Sequence, residues 1–158
     1  MKLHLGCGDI ILDGYLNCDK YNKKAQLVCD VIELPFENDS IDEIYNSHLI
    51  EHFDYWEGYK LASEWLRVLK KGGKLAIETP DFVASCQALI DAPEYKRCML
   101  YAQFFGTPWV EGQTHKFLYT EIQLCGMLKD SGFKNFTRVL ARRHVGNENI
   151  NLRIECEK

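Results

Sequence analysis

The sequence predicts an α/β fold built on a mostly parallel sheet, because strand-like runs alternate with helix-like ones along the chain. The first strand enters a Gly-x-Gly turn, Leu5-Gly6-Cys7-Gly8, and the second, Tyr15-Leu16-Asn17-Cys18, ends on an acid, Asp19. At 158 residues, 46% hydrophobic and 27% charged, the chain reads as a single domain over 1–158 of ordinary globular composition.

The elements follow in order. Lys2–Leu5, Tyr15–Cys18 and Gln26–Cys29 are short apolar runs separated by turn-rich links, and Asp42–Ser47 follows the polar turn Glu37-Asn38-Asp39-Ser40. A helix comes next, with Tyr59, Ala62, Leu66 and Leu69 on one face and Glu57, Lys60, Glu64, Arg67 and Lys71 on the other. Gly72-Gly73 reads as its stop, before a strand over Lys74–Glu78. Residues 82 to 104 read as helix broken around Asp91-Ala92-Pro93, and residues 105 to 119 as irregular. A capping box, Thr120-x-x-Gln123, opens a helix ending at Gly132. Strands over Asn135–Ala141 and Ile150–Glu155 close the chain around the turn Gly146-Asn147-Glu148-Asn149.

Several classes are disfavoured at once. No apolar stretch approaches the ~20 residues of a membrane span. The chain enters a strand within two residues of its start, so no signal or transit peptide is expected and a cytoplasmic location is. The net charge of -4 argues against a broad nucleic-acid footprint. The one compact basic cluster, Arg142-Arg143-His144, reads as a solvated strand end. Seven cysteines are an odd number with no C-x-x-C pair, and they read as small buried hydrophobes in a reducing compartment.

The glycine turn and Asp19 are what an adenosine-containing cofactor needs: glycine backbone approaches a ligand closely, and a carboxylate accepts hydrogen bonds from ribose hydroxyls. A dinucleotide fingerprint would put a third glycine at position 11, which is Ile11, and a helix N-terminus at the pyrophosphate. Between Gly8 and Tyr15 there is room for about one helical turn. A cofactor without phosphates, such as S-adenosylmethionine, does not need that anion site.

With these blocks in place, the chain resembles the class I S-adenosylmethionine-dependent methyltransferases, in particular a small group associated with sugars and surface polysaccharides. The carriers are Leu5-Gly6-Cys7-Gly8, Asn17-Cys18-Asp19, Asp30-Val31-Ile32-Glu33-Leu34-Pro35-Phe36, Ile41-Asp42-Glu43-Ile44-Tyr45, Ser47-His48-Leu49-Ile50-Glu51-His52-Phe53, Glu64-x-x-Arg67-Val68-Leu69-Lys70-x-Gly72-Gly73 and Ser131-Gly132-Phe133. The resemblance implies a Rossmann-like, seven-stranded sheet of order 3-2-1-4-5-7-6 with strand 7 antiparallel and helices on both faces, the helix between strands 1 and 2 being reduced. It further implies that Gly6, Cys7 and Gly8 flank the methionine part, Asp19 holds the ribose, Asp30 and Val31 contact the adenine, and Asn46 and Ser47 lie near the methyl. Residues 82–119 are then the lid on the acceptor side, with Tyr101, Phe104, Phe105 and Trp109 as pocket candidates.

A sugar hydroxyl is a poor nucleophile at neutral pH, so an oxygen acceptor calls for a base, and histidine suits that role. His4 lies inside strand 1 and reads as a satisfied sheet residue, and His144 falls in a distal hairpin. His115 and His52 are the catalytic candidates. His48-Leu49-Ile50-Glu51-His52 matches a zinc-peptidase pattern, but it leaves a strand instead of lying in a long helix. It is similar to the Glu-x-x-Glu-His of metal-dependent O-methyltransferases of small-RNA 3′ ends and ubiquinone synthesis. That similarity implies a divalent ion on His48, Glu51, His52 and His115, against the plainer alternative that Glu51 and His52 only cap and pack.

The expected function is therefore methyl transfer to a small polar acceptor, a hydroxyl of a sugar, nucleotide sugar or glycan precursor. The alternative is a non-catalytic or partner-dependent S-adenosylmethionine-binding module, and a homodimer or partner subunit completing the acceptor pocket stays open. A nicotinamide oxidoreductase is disfavoured by Ile11 and the short link to Asp19.

Overall fold

The seven strands of the sheet run in the order β3-β2-β1-β4-β5-β7-β6, as the family resemblance implies. The computed structural model describes residues 1–141 and 150–158. The strands are β1 Lys2–Leu5, β2 Leu16–Asp19, β3 Leu27–Val28, β4 Ile41–Ser47, β5 Leu69–Pro80, β6 Lys134–Val139 and β7 Asn151–Glu157. Strands β1 to β5 pair in parallel, and β7 runs antiparallel to both β5 and β6. No helix joins β1 to β2. The expected basic cluster Arg142-Arg143-His144 and the turn at 146–149 lie outside the described residues.

Helix α1 (Tyr55–Val68) is started by a reciprocal cap: Asp54 accepts the amides of Trp56 and Glu57, and the Glu57 carboxylate accepts the amide of Asp54. It ends at Val68, four residues before the predicted stop. Leu69 is already extended and pairs with Ile41, while Asp39 and Ser40 donate their amides to the carbonyls of Arg67 and Val68. Gly72-Gly73 falls inside β5, where the pairing with β4 shifts register and the amides of Gly72 and Lys158 bond the carbonyls of Lys158 and Gly73. A glycine pair before a strand marks an irregularity within a longer strand here, one of the ordinary meanings of glycine in a strand. The buried face of α1 is Leu61, Ala62, Trp65 and Val68, so the expected stripe is displaced and Trp65 replaces Leu66 at its centre. Glu64 and Arg67, expected to be solvated, instead bind the backbone of the segment after β3: the Leu34 amide donates to Glu64, and Arg67 donates to the carbonyls of Leu34 and Phe36.

The remaining helices are α2 (Phe82–Asp91), α3 (Glu94–Phe105) and α4 (Glu121–Asp130), the last opened by the predicted Thr120–Gln123 capping box. Buried α1 and α4 residues share one core with Leu3, Leu5, Ile44, Leu75, Ile77, Leu152 and Ile154 of the sheet. The alternate strand residues Tyr15, Glu43, Tyr45, Lys74, Arg153 and Glu155 line an open concavity of about 720 Å³ on the sheet's other side. That face is polar and internally paired. Lys2 meets Glu43 at 2.7 Å and Arg153 meets Glu155 at 2.7 Å, while the Arg153 guanidinium lies 5.3 Å from the Tyr45 ring centre. Burial and the neighbouring Glu43 push the Tyr15 hydroxyl up to about 12. Charges satisfied in the plane of the sheet let this concavity stay wet. His4 is buried there as expected, its Nδ1 2.9 Å from the side-chain oxygen of Asn17 and its ring stacked on Tyr45.

Candidate active site

The carboxyl ends of β1, β2 and β4 lie side by side, and the turn after β1 is locked against the segment leaving β4. Gly6 has a φ of +64°, and a Cβ added there would stand 2.7 Å from Cδ1 of Leu49. At Gly8 the space a Cβ would take is empty to 4 Å, so this part of the cradle is open to a ligand. Asp19 organises the floor. Its Oδ2 accepts the Gly8 amide at 2.9 Å, and its Oδ1 accepts those of Tyr21 and Asn22, each at 2.8 Å. A carboxylate offers about four acceptor sites. Three are used on two loops, leaving about one for a ribose hydroxyl. Asp30 pairs with Lys20 at 2.8 Å and accepts the Ile32 amide, and the lysine beside it holds its carboxyl below the usual range.

These residues wall a cleft of about 700 Å³. Gly6, Gly8, Asp19, Asp30 and Val31, which the resemblance assigns to the cofactor, lie on it. Cys7, Asn46 and Ser47 do not: they are buried behind the wall, and His48 and Leu49 hold the position expected of Asn46 and Ser47. The reason is local. His48 leaves β4 with a φ of +53°, in the left-handed region that costs a non-glycine residue energy, and this turn brings the His48–Leu49 pair to the cleft.

The insert contributes one wall through Val110, Glu111, Gly112, Gln113, Thr114 and Lys116. Its tip touches the cofactor half directly, since a Cβ on Gly112 would stand 2.5 Å from the Tyr21 ring. The aromatic candidates are corrected: Tyr101, Phe104, Phe105 and Trp109 are not on the wall, and Trp109 is 83% exposed. Tyr21, Leu49 and Gly112 were missed, and only the loop glycine carried a signal in the sequence.

Three histidines gather around Glu51, which is fully buried in the short turn Ile50–His52. His48 Nδ1 lies 3.0 Å from Glu51 Oε1, and Thr79 donates its hydroxyl to Oε2 at 2.9 Å. Burial disfavours the charge on Glu51, yet the contact with His48 prevails and holds its carboxyl below the ordinary value. His52 Nδ1 lies 3.1 Å from the Thr114 carbonyl, and His115 Nδ1 lies 3.0 Å from the Gln103 carbonyl. A carbonyl only accepts, so both Nδ1 atoms carry the proton and each Nε2 of a neutral ring is an acceptor. The two rings meet edge to face with centres 5.0 Å apart, and burial pushes the His115 pKa down. One ligand atom each from Glu51, His52 and His115 lies within 4.8 Å of the others. His48 is not in that set, which corrects the four-ligand expectation. His48 and His52 are on the cleft wall, whereas Glu51 and His115 stand behind it.

Residues 3–77 match the family model described as a methyltransferase domain, a span that takes in both cofactor loops and strands β1 to β4. Solved structures share the fold at low identity. A SAM-dependent methyltransferase from Archaeoglobus fulgidus is 19% identical, with a TM-score of 0.66 over 99% of this chain and 85% of that one. One from Methanosarcina mazei is also 19% identical, with a TM-score of 0.68 over 99% and 91%. A chain of the Haloferax volcanii complex between the Trm112 methyltransferase activator and a methyltransferase is 13% identical, with a TM-score of 0.62 over 99% and 81%. No curated protein matches at a significant level. The chain thus shares its fold with solved S-adenosylmethionine-dependent methyltransferases, and its first half matches a methyltransferase-domain model. Among the described residues no helix is long and apolar enough to cross a membrane.

Proposed function

We propose that this chain methylates a hydroxyl of a small polar acceptor, a sugar or nucleotide-sugar precursor of a glycan, with His48 as the general base. One observation carries the reading: the cofactor residues Gly6, Gly8, Asp19 and Asp30 and the histidines His48 and His52 wall the same cleft. S-adenosylmethionine supplies a methyl group already activated on a sulfonium, so the protein's work is alignment and deprotonation. Alignment of reacting groups is worth up to about 7–11 kcal/mol, and a positioned base about 10²–10⁴-fold. The Tyr21–Gly112 contact roofs the cleft and holds the acceptor side against the cofactor side. His48 takes the proton from the hydroxyl on Nε2, an atom the fold keeps buried until the ring turns toward the cleft, with Glu51 at Nδ1 to stabilise the imidazolium that forms. This reassigns the base from His52 and from His115, which stands behind the wall.

The test is methyl transfer to a panel of nucleotide sugars and free glycans, read as formation of the demethylated cofactor. His48→Ala should keep its thermal stabilisation by S-adenosylmethionine, about 2.7 kcal/mol at 100 times the dissociation constant, and lose 10²–10⁴-fold in turnover. Wild-type turnover in that variant, or no stabilisation of the parent chain, overturns the reading. A second reading, a module that works only with a partner subunit, is favoured by α3, which buries none of its residues and exposes Tyr95, Met99, Tyr101 and Phe105. Turnover by the chain alone removes it.

A further inference from the structure

The Glu51–His52–His115 cluster consists of groups that accept and none that donates. Both imidazoles have spent their N–H on backbone carbonyls, and a buried ionised carboxylate offers only lone pairs. Three acceptors converging within 4.8 Å repel one another unless something positive lies among them. We infer that this cluster binds one divalent first-row transition ion through Glu51, His52 and His115, and that the ion fastens the roof of the cleft to the catalytic turn.

The ligand types and their supports fit that assignment. Two imidazoles and one carboxylate make a set that suits zinc, manganese or iron and serves magnesium poorly. A ligating histidine ordinarily gives its other N–H to a carbonyl or carboxylate, which fixes the tautomer and the ring, and both histidines here do so. The Thr79 hydroxyl bonds Oε2 of Glu51 and His48 stands at Oε1, so the carboxylate is oriented from both sides while keeping acceptor sites for an ion. His48 is therefore a neighbour of the ion site and not a ligand.

Position decides what the ion does. Glu51 and His115 lie behind the cleft wall, so an ion between them is not placed to touch an acceptor hydroxyl. It does join two segments that have little else in common. Glu51 and His52 belong to the turn after β4, and His115 is the root of the loop whose Gly112 rests on Tyr21. The Glu51 carbonyl already receives the amides of Lys116 and Phe117, at 2.7 and 3.2 Å, so the ion completes an existing clasp. Its role is to keep the wall at 110–116 in place. The inference rests on the methyltransfer reading for its consequence, not for the binding itself.

The experiment uses the whole chain, stripped with chelator and titrated with zinc chloride and, separately, manganese and magnesium chloride, with bound ion counted by elemental analysis. One equivalent of zinc or manganese is expected at micromolar concentration, with magnesium at least tenfold weaker. His115→Ala and His52→Ala should each bind at least tenfold more weakly, with circular dichroism confirming that they fold. Amide hydrogen exchange supplies a second readout: zinc should slow exchange over 106–116 in the parent chain and leave it unchanged in His115→Ala. Absence of one-to-one uptake, unaltered affinity in the variants, or exchange over 106–116 that ignores the ion each overturns the inference. Methyl transfer assayed on the same samples separates the two readings. A chain that binds zinc but methylates no hydroxyl refutes the proposed function alone, and one that methylates fully without taking up any ion refutes the clasp alone.

Discussion

Leu49 packs over the α-carbon of Gly6, and this contact joins the glycine turn after β1 to the segment that carries His48. It separates two glycines that look equivalent in the sequence. Gly6 and Gly8 both have positive φ, so alanine at either incurs the left-handed penalty of about 1–2 kcal/mol. At Gly6 the new Cβ also meets Leu49 at 2.7 Å, whereas at Gly8 it meets nothing within 4 Å. Gly6→Ala is expected to lower stability by about 3 kcal/mol and Gly8→Ala by about 1, and one kcal/mol corresponds to roughly 2–4 °C in a domain of this size. Thermal melts of the two variants check this, and equal losses refute the interlock. Gly8→Ala should nonetheless weaken S-adenosylmethionine binding, because its methyl group intrudes on the cradle.

Glu64 gives the fold a pH dependence of known sign. The Arg67 guanidinium, aided by the Leu34 amide and opposed by partial burial, holds the Glu64 carboxyl below its ordinary value. A depressed folded pKa means that the stabilisation is fully present above the unfolded value, about 4.3, and is lost as pH falls through the folded one. Glu64→Gln should therefore be less stable than the parent chain by about 1 kcal/mol at pH 7. The gap should close as the pH falls below about 4.3. Urea titrations of both proteins across that range test it, and a gap that stays constant shows that the charge on Glu64 contributes nothing.

The strand order was legible only through the family resemblance, whereas the glycine turn and the acids at the strand ends were legible because each is a local signal. Gly6, Gly8, Asp19 and Asp30 sit on turns whose chemistry is fixed by their own residues. Errors arose where a residue's role depends on a distant partner. Leu69 reads as helix by spacing, yet its pairing with Ile41 makes it strand. Arg67 reads as a solvated face, yet the carbonyls of Leu34 and Phe36 claim it. His48 reads as a ligand beside Glu51 and His52, but no spacing rule foretells the left-handed turn that takes it to the cleft wall. Nor did anything local show that Gly112 would rest on Tyr21.

Gly58 shows how a tertiary contact can reverse a local propensity. In mid-helix, alanine is favoured over glycine by about 1 kcal/mol, so Gly58→Ala in α1 ought to stabilise. Here a Cβ would stand 2.5 Å from the hydroxyl of buried Tyr119 and 2.9 Å from Sδ of Met127. Overpacking of this kind costs about 1–3 kcal/mol, so the net expectation is a loss of about 1–2 kcal/mol. The hydroxyl is the obstacle that cannot yield, since Met127 is flexible and the next Tyr119 atom is 3.7 Å away. Tyr119→Phe removes that obstacle and forfeits only a weak contact to Met127 at 3.8 Å. In the Tyr119→Phe background Gly58→Ala should therefore be neutral or stabilising, a coupling of about 2 kcal/mol across the double-mutant cycle. Additive effects of the two substitutions would show that α1 and the Tyr119 segment do not meet at this point, and the packing that positions Phe117 and His115 beside Glu51 would need another origin.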